Sequence, residues 1–138
     1  MATDTKTGEQ RARDVAVSLA DDVRALEAML TGDLTNTPEI EARIIRITAD
    51  HTEEDGDSPV DTYLAGVLGV EIDGRFTNGE WEVRKVGLLV GYGGLTSRIS
   101  TTGDGEVDVV VNWWGDSATV TVYAPNLADR IWELSDGI

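Results

Sequence analysis

The spacing of apolar positions divides the chain into a helical first third and a strand-rich remainder. Val15, Leu19, Val23, Leu26 and Leu30 recur at steps of four, four, three and four, which predicts one stripe of a helix over residues 9–31. Gly32 follows as a stop signal, and Asp14, Asp21 and Arg24 lie opposite the stripe. Between residues 33 and 64 two patterns compete. Thr37 and Pro38 read as the N-cap and first residue of a helix. ARIIRIT (42–48) alternates as a strand does. Residues 50–61, DHTEEDGDSPVD, hold six carboxylates, with Val60 as the only apolar residue, and read as an exposed acidic loop. SPVDTYLAG (58–66) reads as one added helical turn.

From residue 67 the period changes to two. Asn78-Gly79 is a strong hairpin signal. A two-residue turn there sets Thr77 against Glu80, Phe76 against Trp81, Arg75 against Glu82 and Asp73 against Arg84. The last two pairs are of opposite charge, which supports the register. Phe76, Trp81, Ile72, Val83 and Val70 share the other face. Continuing the register would set Lys85 against Ile72, so either a bulge falls near 84–86 or the strand changes role. Val86, Leu88, Val90 and Tyr92 begin a new alternation, and Gly91-Tyr92-Gly93-Gly94 ends it. TSRIS, a Gly-rich turn at 102–105, EVDVVVNWW (106–114) and SATVTVY (117–123) follow. Pro125 and Asn126 open a last helix to about Ser135, with Leu127, Ile131, Trp132 and Leu134 on its apolar side. The pattern predicts an α+β fold: an antiparallel meander of about five strands, with an N-terminal and a C-terminal helix packed on one face. At 138 residues the chain reads as a single domain, with residues 1–8 disordered.

Trp113 and Trp114 stand side by side, and neighbouring strand residues point to opposite faces. With Gly115-Asp116 as the turn, Trp113 opposes Ala118, Val111 opposes Val120, and Val109 opposes Val122, an all-apolar face. Trp114 then shares a polar face with Asp108, Asn112, Ser117, Thr119 and Thr121. Two readings stay open. Trp114 is either an exposed contact residue or the packing of a second small core beneath the GYGG turn or the acidic segment.

Charge changes the picture more than composition does. Twenty-six acidic residues against 11 basic ones give −15. Such a surface repels nucleic acid and anionic membranes, so neither direct nucleic-acid binding nor membrane association is expected. No run of apolar residues is long enough to span a bilayer. The first residues hold no apolar signal region, and cysteine is absent, which together predict a cytoplasmic protein. The acidity can serve solubility, adaptation to a salty cytoplasm, or mimicry of DNA toward a basic groove.

Chemistry-bearing motifs fail one by one. GYGG lacks the Lys and spacing of a phosphate loop. Aligning Gly56 with the sixth position of a calcium loop puts Thr62 where a bidentate Glu is needed. His51 is the only histidine, and no G-x-S-x-G elbow is present. The expectation is no catalytic residue, no metal and no cofactor. Residues 88–122, with LLVGYGG followed by VVVNWWGDSATVTV, resemble a pattern in small accessory proteins of phages and mobile genetic elements, although Leu95 stands where that pattern often has Pro. The resemblance implies a genomic context in which inhibition of a host defence system is a natural role.

The leading expectation is therefore a non-enzymatic acidic protein that docks on a protein partner with a basic surface. Its contact residues would be Trp114, Asp108, Asn112 and Asp116, with Asp50, Glu53, Glu54, Asp55 and Asp57 of the acidic loop. The alternatives are a housekeeping domain of a salt-adapted organism and a small carboxylate-dependent hydrolase.

Overall fold

The computed structural model describes residues 7–32, 37–50, 59–67, 69–91 and 95–137. The order is α1 (Gly8–Thr31), α2 (Pro38–Asp50), α3 (Pro59–Ala65), β1 (Gly69–Thr77), β2 (Glu80–Gly91), β3 (Leu95–Thr101), β4 (Glu106–Trp113), β5 (Asp116–Tyr123) and α4 (Pro125–Glu133), closed by a 3-10 turn at Leu134–Gly137. The five strands form one antiparallel meander in sequence order, and α1 and α4 both pack on it. This is the α+β architecture that the pattern predicts.

Helix α1 starts one residue earlier than its periodicity predicts, because Thr7 and Gln10 close a reciprocal capping box. Gly32, at φ 71°, ends it in the left-handed conformation. The expected stripe is only in part the buried face. Val23 and Leu26 are fully buried, together with Ala12, Ala16 and Ala20, while Val15, Leu19 and Leu30 are only partly covered. Small side chains let α1 lie close across β4 and β5, and the larger residues flank that contact. The competition over 38–50 resolves as a helix. Thr37 caps α2 through its hydroxyl to the Ile40 N–H and its carbonyl to the Glu41 N–H. Ile40 and Ile47 then reach the core, seven residues apart on one face. Asp50 belongs to α2, and Pro59, Val60 and Asp61 belong to α3, so the acidic segment is shorter than the expected 50–61 loop. Residues 51–58 lie outside the described residues.

Two corrections concern strand register. The β1–β2 turn pairs residues as expected from Thr77↔Glu80 to Arg75↔Glu82, but Asp73 meets Lys85, not Arg84. The register shift leaves Arg84 with no residue opposite it on β1, and this bulge restores Ile72 to Val86 on the core side. In the β4–β5 hairpin the turn is Trp114-Gly115, not Gly115-Asp116. Trp113 faces Asp116, Val111 faces Ala118, and Val109 faces Val120. The slip is two residues, so every side chain keeps its face.

The core lies between the sheet and the helices. Val86, Leu88, Ile99, Val107, Val109 and Val111 supply the sheet side, with Leu26, Ile47, Leu127 and Ile131 opposite. Two polar devices join the helices to one another. Glu27 of α1 accepts from the Asn126 and Leu127 backbone N–H groups at 3.3 and 2.7 Å, capping α4 where its own N-cap residue, Ala124, has no side chain to do so. Asp22 of α1, buried, accepts from Arg43 and Arg46 of α2 at 3.1 and 3.3 Å and from the Tyr63 hydroxyl of α3 at 3.0 Å. Burial, reinforced by the Asp22 carboxylate, pushes the Tyr63 phenol above its usual range, so it stays a neutral donor. Among the described residues, no helix is long and apolar enough to cross a membrane.

Candidate functional site

The sheet face away from the helices is bare. Its strands put Glu71 and Asp73 of β1, Lys85 of β2, Arg98 of β3, Asp108 and Asn112 of β4, and Thr119 and Thr121 of β5 on it. Arg98 donates to Glu71 at 2.7 Å, and Thr121 donates to Asp108 at 2.7 Å. Gly87 leaves a shallow hollow of about 220 Å³ between Glu71, Asp73, Lys85 and Arg98. Ser100 forms part of its lining, and the Ser100 hydroxyl is buried without a hydrogen-bond partner among the described residues. The face is electrically mixed, and its carboxylates are partly engaged.

The expected contact residues do not gather. Asp108 and Asn112 lie on the bare face, half-buried. Asp116 stands on the helix side instead. It pairs with Trp113 at the start of β5, and a Cβ at Gly8 would run into its carboxylate. It is therefore held at the α1 N-terminus, where the helix dipole favours a negative charge. Trp113 is half-buried on the same side, with the Arg11 guanidinium 6.0 Å from its ring centroid. The side chain of Asp50, and Glu53, Glu54, Asp55 and Asp57 altogether, lie outside the described residues.

Trp114 is the residue the structure treats most unusually. It is not a strand residue on the polar face but the first turn residue of the β4–β5 hairpin, at φ 48°, followed by Gly115 at φ 94°. Two successive positive φ values are what a tight turn between right-twisted strands requires. A bulky L-residue is a poor choice there: the left-handed region costs about 1 kcal/mol for such a side chain. The ring is 77% exposed, which overturns the reading of a second small core. Among the described residues, Trp114 is not one of those packed on the core, so burial does little to offset the backbone cost.

A second exposed aromatic pair was legible as a face but not as a surface. Phe76 and Trp81 oppose each other on the helix side of β1 and β2, yet they are 69% and 55% exposed. The reason is length. β2 pairs with β3 only from Val86 to Gly91, so residues 73–85 extend beyond β3 and bond only to each other. The signal was present in the sequence as a hairpin whose strands outrun those that follow.

Comparison with protein-family models, with curated proteins and with solved structures finds no match for this chain.

Proposed function

We propose that the protein is a non-enzymatic binding protein that docks on, and inhibits, a basic nucleic-acid-handling protein or complex of the CRISPR or restriction type. Its carboxylates would take the place of phosphates. The observation that carries this reading is Trp114: a largely exposed aromatic residue held at φ 48° on a chain of net charge −15. Backbone strain kept at an exposed tip is a mark of contact function, and a ring at the centre of a charged contact is the usual form of an interface anchor. Asp108 and Asn112 on the neighbouring strand lie within the same hairpin. Long-range attraction from the acidic surface would speed association, and salt would weaken it.

The test is a competition assay. Purified effector and restriction complexes of the host are mixed with labelled DNA and with the intact protein or Trp114→Ala, at low and high salt. The expected result is displacement of DNA from one complex by the intact protein at low salt, reduced at high salt and in the variant. DNA binding that is unchanged in every complex would contradict the proposal.

A further inference from the structure

Residues 73–85 form a two-stranded arm that projects past the five-stranded sheet, and every residue from Arg75 to Glu82 is exposed. Such a ribbon is marginally stable by itself. Its helix-side face presents Phe76 and Trp81, with Val83 half-buried beside them. Trp81 lies back over Gly74, where a Cβ would meet the indole at 2.5 Å and the Glu82 carbonyl oxygen at 2.6 Å. Glycine is needed there so that the ring can settle on the arm. The apolar face is therefore built, not incidental, and the helices of its own chain leave it uncovered.

Charge identifies the occupant. Asp73, Glu80 and Glu82 are balanced by Arg75, Arg84 and Lys85, so the arm is neutral in a chain of net charge −15. A basic partner is drawn to the acidic remainder of the molecule. A second, equally acidic copy is repelled by that remainder and meets least repulsion at the arm. Arg75 and Glu82, and Asp73 and Lys85, pair with each other on the arm's other face, so its aromatic face sets no like charges against one another when the same patch serves both copies.

We infer that the β1–β2 arm is a self-association surface, on which two copies pack arm to arm with Phe76 and Trp81 of each against those of the other. Fully covered aromatic side chains bury about 150–250 Å² each, so these pairs alone fall short of the roughly 1,200 Å² of a stable interface. The dimer is thus concentration-dependent. It is independent of the inhibitory role, because Trp114 lies at the opposite end of the sheet from the arm's turn.

Sedimentation of the full chain from low micromolar to near-millimolar concentration tests this. The mass of the intact protein should climb from 14.9 kDa toward twice that value, and Trp114→Ala should follow the same curve. Phe76→Ser with Trp81→Thr should remain at the monomer mass with an unchanged far-ultraviolet circular dichroism spectrum. Should that pair of changes unfold the chain, Arg75→Glu with Lys85→Glu keeps both rings and makes the arm acidic. That variant should dissociate at low salt and recover at high salt. A wild-type chain that stays monomeric throughout, a dimer that persists in the folded Phe76→Ser, Trp81→Thr variant, or one that persists at low salt in the acidic variant, would overturn the inference.

Discussion

The two tight hairpins of this sheet use the same backbone and opposite residue choices. At the β1–β2 tip, Asn78 and Gly79 take φ 55° and 81°; at the β4–β5 tip, Trp114 and Gly115 take φ 48° and 94°. Asn visits the left-handed region readily and Trp does not. The hairpins also differ in support. β4 is an interior strand, with Val107, Val109 and Val111 fully buried, whereas the β1–β2 arm extends beyond β3 and its residues from Arg75 to Glu82 are exposed. The well-supported hairpin carries the strained turn, and the unsupported one carries the relaxed turn. A buried β4 fixes the register strongly enough to hold an unfavourable residue at its tip. A free arm has no such reserve, and its turn must favour the hairpin by itself.

The contrast in support should give the largest effect. Ile99→Ala, in the core strand beside β4, removes a fully buried side chain and should lower global stability by about 3 kcal/mol in chemical denaturation. Phe76→Ala in the exposed arm should change the stability of the monomer by no more than about 0.5 kcal/mol. Equal losses at the two sites would erase the distinction between them. Gly74→Ala comes next. Its Cβ would collide with Trp81 and the Glu82 carbonyl, so amide exchange should quicken across 73–85 and stay slow in β4, the signature of a local opening. Exchange that speeds up everywhere would mean the arm is part of the global folding unit.

The Asp22 cluster sharpens the comparison through pH. The phenol of Tyr63 is held above its unfolded value of about 10. An acid whose pKa is raised by folding adds stability below its unfolded pKa and loses it as pH climbs toward the folded one. Melting temperature should therefore fall more steeply above about pH 10 in the wild type than in Tyr63→Phe. The exposed arm should open no faster than the core destabilises over that range. Parallel curves for the two proteins would remove Tyr63 from the account. The smallest effects are at the turns, and they should have opposite signs. Asn78→Ala should cost about 0.5–1 kcal/mol, and Trp114→Asn should add about as much. Changes of the same sign would show that the two tips do not differ as argued.

Most of the fold was legible because local signals agreed with the packing. The Asn78-Gly79 turn, the alternation from Val86 onward and the Pro125 start of α4 each point one way. The α2 segment was ambiguous for a physical reason. Ile45 is 70% exposed, so an apolar residue interrupts the helical stripe of Ile40, Ile44 and Ile47 and imitates alternation. The slip at β4–β5 has a similar origin. Gly115-Asp116 satisfies a favoured turn, and nothing local indicates that Trp114 would accept a positive φ. The observed register also goes with a contact far away in sequence, where Asp116 sits against Gly8 at the start of α1. The capping of α4 by Glu27 is likewise a contact across 99 positions, invisible to any local pattern. Of the candidate contact residues, alternation placed Asp108 and Asn112 on the face away from the helices, where they lie; the exposure of Trp114 stayed open in the sequence, and its strain could not be read there at all.

The central claim is that Trp114 is kept for contact at the expense of stability, and Trp114→Asn tests both halves in one variant. Its melting temperature and its ability to displace DNA from the host complexes of the competition assay should be measured side by side. A higher melting temperature together with weaker displacement is the expected result. A variant that is more stable and displaces DNA as well as the wild type, or one that is less stable, would contradict the claim.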